Sequence, residues 1–233
     1  MSAPTELGVD AAAPRPPVGF RFDVPDAWTV LDLAPATSDA WVEAFLDERS
    51  AGVPGAAAQR ARARQVLRQA IASHRSAGVL FAAFLAARVS SPAQLVGASL
   101  TLAWRELRGG RVDLDGLARF MTEDDPAPGE DLAARSVTRV ALRPGDAVRV
   151  ASRQLTLVPL TSTRRPVAIV QHLVPVPDLP WLGVLTATTP NLELAGTYAE
   201  LADVVAASFE LLDASGAPLR PSPPTGTIGY LPS

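Results

Sequence analysis

The 233-residue chain contains no cysteine and no lysine, and only two histidines, two tyrosines and two methionines. Without cysteine there is no disulfide, no thiolate nucleophile, no zinc–thiolate or iron–sulfur ligation and no lipid-bearing cysteine. Without lysine, Schiff-base chemistry and a Walker-type phosphate lysine are excluded. All 21 basic side chains are arginine. Beside 22 prolines and abundant alanine, that substitution is what a GC-rich genome produces. Long hydrophobic runs are also missing. The longest, Val79–Ala87, has the length of a strand and falls far short of the roughly 20 residues of a membrane helix. The net charge is only −3, so nothing draws the chain as a whole to nucleic acid or to an anionic membrane. The opening, MSAPTELGVDAAAPRPPVG, has neither the basic start nor the apolar centre of a secretory signal. The expectation is a cytoplasmic protein without cofactor or metal, not inserted in a membrane.

What is present is enough for a core. Hydrophobic residues make up 48% of the chain and charged residues 19%, a globular balance. Residues 1–17, rich in Ala and Pro, read as a flexible leader, 18–213 as one domain, and 214–233 as a Pro/Gly-rich tail. Phe20, Phe22 and Val24 alternate with charged residues, Pro25-Asp26 turns the chain, and Trp28 opens a second alternating run. That pattern predicts a first hairpin with Trp28 as a core anchor. Thr37 or Ser38 can cap a helix containing Trp41 and Phe45, and a second helix spans about 56–76. On the second helix Ala63, Val66, Leu67, Ala70, His74 and Ala77 share one side. Arg60, Arg64, Arg68 and Arg75 form a stripe beside it.

Two apolar stretches, Val79–Val89 and Gln94–Leu107, read as central strands covered on both faces. On the second, Val96, Ala98, Leu100, Leu102 and Trp104 make the heavier face. A short helix follows near 112–126, then strands at 137–142 and 147–157 joined by the RPGD turn, then strands at 166–174 and 181–188. A last helix is expected over 195–212, with Tyr198, Leu201, Val205, Phe209 and Leu212 along one face. Successive strands joined by short connections make antiparallel pairs. The predicted fold is therefore α+β: an antiparallel sheet of six to seven strands with helices packed on its faces, and the C-terminal helix on the sheet.

Three stretches carry a family resemblance: FDVPDAWTVLDL (22–33), RPGDAVRV (143–150), and VQHLVPVP with WLGVLTATTPNLEL (170–194). Together with the element order they resemble the PsbP/Mog-like fold, as found among uncharacterised proteins of high-GC bacteria. The resemblance implies that Pro25-Asp26-Ala27-Trp28 forms the first hairpin and that Thr189-Pro190 hands the last strand to the C-terminal helix. It also implies a non-catalytic binder or accessory subunit. Members of that fold bind a small GTPase or stabilise a photosystem, and similar proteins are associated with type VII (ESX-like) secretion. The secreted members are lipoproteins, a branch that needs the cysteine this chain lacks.

Few residues offer chemistry. His74 lies beside the apolar side of its helix, and His172 shares a strand side with Ala168, Val170 and Val174. A catalytic imidazole needs an acid–base partner in hydrogen-bond reach, which sequence spacing does not supply. Two distant histidines make no metal site. Asp113 and Asp115 suit helix capping, and RGGR (108–111) suits a plain turn. No Gly-x-Ser-x-Gly turn is present. The leading expectation is a non-enzymatic accessory or adaptor protein that binds another protein and no nucleic acid. Its candidate contacts are the stripe Arg60, Arg64, Arg68 and Arg75 and the tail residues Ile228, Tyr230 and Leu231. One alternative is a small-ligand groove between sheet and helices where His172, Trp181 and Tyr198 meet. The other is a hydrolase built on His172 and a carboxylate.

Overall fold

The computed structural model describes residues 19–50, 57–90, 93–107, 113–123, 131–157 and 163–219. In chain order the strands are β1 (Gly19–Arg21), β2 (Thr29–Val30), β3 (Val79–Ser90), β4 (Ala93–Glu106), β5 (Asp131–Leu142), β6 (Gly145–Leu157), β7 (Arg164–Pro175), β8 (Trp181–Thr189) and β9 (Glu210–Leu212). The helices are α1 (Ser38–Ser50), α2 (Ala57–Ser76), α3 (Leu114–Glu123) and α4 (Ala195–Ala207), the last preceded by a 3-10 turn at Leu192–Leu194. Seven strands form one antiparallel sheet in the order β2-β3-β4-β8-β7-β6-β5. The α+β class and the seven antiparallel strands agree with the sequence reading.

Residues directly opposite each other in a ladder share a face. The pairs Leu102↔Leu185, Leu185↔His172 and His172↔Arg149 therefore put these four side chains on one surface, the upper face. Upon it lies α4, whose Val205 and Ala206 join Leu100, Leu102, Trp104, Val174 and Leu185 in the main core. The lower face carries two separate helical units. Toward β3, the α1–α2 pair packs Val42, Leu46 and Ile71 on Ala82 and Leu31. Toward β5 and β6, α3 packs Leu114, Leu117 and Met121 on Val148, Val150 and Leu173. Asp113 starts α3 by accepting from the backbone N–H groups of Asp115 and Gly116 at 3.1 and 3.0 Å, the capping role expected of it.

The two ends of the domain depart from expectation. Phe20–Val24 and Trp28–Leu33 do not form a hairpin. Instead β1 pairs with β9 in a separate two-stranded sheet, and β2 pairs with the edge of β3. Trp28 is half-buried and does pack on the upper core. The last helix stops at Ala207 rather than continuing to 212. Ser208 ends it: its hydroxyl donates to Val205 O and accepts from the Asp23 N–H at 2.8 Å. Phe209 then turns inward, fully buried, with its ring stacked 6.0 Å from Phe22 and 6.4 Å from Phe20. Apolar spacing could not separate a continued helix from this turn and strand, because either conformation buries Phe209. Beyond β9 Leu219 donates its N–H to Leu211 O and packs on the main core. Strand β5 also starts earlier than expected, at Asp131, across a register break before Ser136.

Two local solutions fix the sheet beneath α4. Gly183 lies under the Trp104 ring, where an added Cβ would come within 2.8 Å of the indole and force it to shift. At the other end the β4–β8 ladder stops at Ser99↔Thr188, and Pro190 cannot donate to a further ladder bond. The Gly97 backbone is completed by side chains instead. Asn191 Oδ1 accepts from its N–H at 2.9 Å, and Thr189 Oγ1 donates to its carbonyl at 2.7 Å. The Thr189-Pro190-Asn191 run thus closes the end of the β4–β8 ladder and leads into α4.

Candidate functional site

The most chemical arrangement lies where α4, packed over β7 and β8, reaches toward β6. His172 points up from β7, opposite Arg149 of β6 and Leu185 of β8. Asp203, on the flank of α4, reaches down to the His172 imidazole and the Arg149 guanidinium. Its Oδ1 lies 2.9 Å from His172 Nε2 and accepts from Arg149 Nε at 2.7 Å. The imidazole is 2% exposed, whereas the Asp203 side chain is 43% exposed at the rim. Burial holds the imidazole below the ordinary histidine range, against the raising effect of Asp203 and with Arg149 adding to the depression. A neutral ring bonded to a carboxylate carries its proton on Nε2. Nδ1 is then a bare lone pair, buried and without a hydrogen-bond partner.

Neither Arg149 nor Asp203 was visible as a site residue in the sequence. Arg149 meets His172 only through the β6–β7 register, and Asp203 is a lone carboxylate beside an otherwise apolar helix face. The carboxylate that a His172 hydrolase requires is therefore present at the right distance. The ring itself is sealed between Val170, Val174 and Leu185 on the sheet and α4 above, so no substrate reaches it in this conformation.

The ligand-groove residues are only partly brought together. Tyr198 lines an apolar cleft under the first half of α4, with Trp28, Leu100, Ala168, Ala187 and Ala202 among its neighbours. Burial raises the Tyr198 hydroxyl above the usual tyrosine range. The cleft volume is about 20 Å³, room for about one water molecule. His172 lies beyond the cleft, below Asp203. Trp181 shares the upper face but belongs with Trp104 and Val176, four residues along β8 from Leu185 and so about 13 Å away.

The arginine stripe is not a free surface. Arg60 pairs with Glu43 and Asp47, Arg64 with Glu43, and Arg68 with Asp39 and Glu43. Arg75 donates to the carbonyls of Leu33 and Ala34 and to Ser38 Oγ, fixing the entry to α1. These guanidinium groups face α1, where Arg60, Arg64 and Arg68 pair with its carboxylates. The one buried residue of α2 is Ile71, while Ala63, Val66, Ala70 and His74 are half-buried. Burial also lowers His74 from the ordinary histidine value. Ile228, Tyr230, Leu231 and the RGGR segment lie outside the described residues. Among the described residues no cluster of His, Asp and Glu is arranged to hold a metal, and no helix is long and apolar enough to cross a membrane.

Fold and site together define an α+β protein with a seven-stranded antiparallel sheet and a polar contact buried beneath its C-terminal helix. No protein-family profile and no curated protein matches the chain. Among solved structures it is similar to LpqN, a protein involved in cell envelope biogenesis of Mycobacterium tuberculosis. That likeness has 12% identity, covers 83% of each chain and has a TM-score of 0.42, too low to carry an argument.

Proposed function

We propose that the protein is a non-catalytic accessory protein of PsbP/Mog-like type that acts by binding another protein. A type VII (ESX-like) secretion system is the setting that the family resemblance suggests. The observation that carries the non-catalytic part is the placement of His172. The most reactive pair of side chains, imidazole and carboxylate 2.9 Å apart, is used to seat α4 on the sheet. Its ring is 2% exposed, and general acid–base catalysis needs an imidazole that a substrate can touch. The cleft of about 20 Å³ beside it gives the small-ligand reading too little room without movement of α4. The binding role rests on the resemblance and on the apolar tail residues Ile228, Tyr230 and Leu231.

The test is affinity capture with the full chain, followed by reconstitution with each captured protein after purification. A complex of fixed stoichiometry in light scattering, weakened by Tyr230→Ala with Leu231→Ala, is the expected result. Purified candidates that all elute separately from the chain would reject the binding role. Hydrolytic turnover that disappears in His172→Gln would reject the non-catalytic one.

A further inference from the structure

We propose that His172, Asp203 and Arg149 form an acid-released latch on α4: His172 takes up a second proton only when α4 leaves its seat on the sheet. In the seated state the ring donates through Nε2 to Asp203 and keeps Nδ1 unprotonated, with no hydrogen-bond partner. A proton arriving from solvent would have to add to Nδ1. That would create a buried N–H with no acceptor and a full positive charge in a site that is 2% exposed. Among the described residues two charged groups contact this site. Asp203 comes from α4 and would attract the new charge; Arg149 comes from β6 and would repel it. The cross-strand neighbour on β8, Leu185, and the flanking Val170 and Val174 of β7 supply no charge and no acceptor. Asp203 already shares one oxygen between His172 and Arg149, so it can compensate the imidazolium only in part.

Once α4 lifts, Nδ1 reaches water and the ring regains an ordinary affinity for protons. By linkage, the state that binds the proton better gains population as the pH falls. With the seated ring titrating below 6.5, seating weakens from about pH 6.5 downward. The consequence is structural as well as energetic. Val170, Ala202 and Val205 line the cleft and lie within a turn or a strand repeat of the latch residues, so its release opens apolar surface that is closed at neutral pH. The α1–α2 pair does not share this behaviour. Glu43, its central carboxylate, is held at about 2 by Arg64 and stays ionised throughout that range.

Hydrogen exchange of the full chain at pH 7.5 and 5.0, corrected for intrinsic rates, tests this. Amides of Ala195–Ala207 should lose protection severalfold at pH 5.0 relative to pH 7.5, while those of Ser38–Ser50 do not. In His172→Gln, which keeps a donor toward Asp203 but cannot titrate, the protection of α4 should not change between the two pH values. The same pH response in that variant, or an unchanged wild type, overturns the proposal. Should the variant fail to fold, ring titration of the wild type by NMR decides, with His74 assigned by His74→Gln. A His172 midpoint that coincides with the loss of α4 protection supports the latch. Titration of His172 while α4 stays protected overturns it.

Discussion

The two faces of the sheet hold their helices by different physics. On the upper face α4 buries Ala202, Val205 and Ala206 against Leu100, Leu102 and Leu185, and its polar contact is sealed at His172. On the lower face α2 buries only Ile71, and a ladder of exposed ion pairs binds it to α1. Apolar burial of a side chain contributes about 1.5–3 kcal/mol and is little affected by salt. Exposed ion pairs contribute about 0–1 kcal/mol each and are screened over a Debye length of about 8–10 Å. Both faces have apolar centres, since Val42, Leu46 and Ile71 hold the lower pair to Ala82 and Leu31, but only the lower pair adds a salt-sensitive ladder between its helices.

Mutations should rank accordingly. Phe209→Ala, at the fully buried turn that follows α4, is expected to lower stability by about 3–5 kcal/mol in denaturant unfolding. An effect under about 1 kcal/mol would mean that the aromatic stack on Phe20 and Phe22 does not hold β1 and β9 to the sheet. Asn191→Ala should come next, at about 1–3 kcal/mol, because the part-buried Gly97 N–H loses its acceptor. Asp203→Asn should cost about 1–2 kcal/mol, reduced by the exposure of that side chain, and should move the His172 titration midpoint lower still by removing the carboxylate that favours the imidazolium. Glu43→Gln should have the smallest effect at neutral pH, and 1 M salt should erase it. Its pH window is separate from that of His172. A carboxylate lowered to about 2 supplies stability that is present above its ordinary value of 4.5 and lost as the pH falls from there to about 2.

Much of this contrast was legible in the sequence. The period-2 alternation of β4 identified Leu100, Leu102 and Trp104 as the heavier core face, and short connections between successive strands gave the antiparallel sheet. The α1–α2 ladder was legible too, but only when both helices are read together. Asp39, Glu43 and Asp47 recur every four residues, as do Arg60, Arg64 and Arg68, and an antiparallel pair matches them in reverse order. Taken alone, the arginines resemble a docking surface. The candidate site was less legible because it depends on register: β6 brings Arg149 to His172, and α4 brings Asp203 from 31 residues away. The opening hairpin failed for a similar reason. Phe20 and Phe22 satisfy any apolar partner, and those they find include Trp104, Phe81 and Phe209, the last near the far end of the described chain.

Hydrogen exchange at pH 7.5, compared between low salt and 1 M salt, separates the two attachments within one molecule. Amides of α1 and α2 should lose protection in high salt while those of α4 keep theirs. Equal loss in all three helices, or loss in α4 alone, would contradict a salt-sensitive ladder confined to the lower pair.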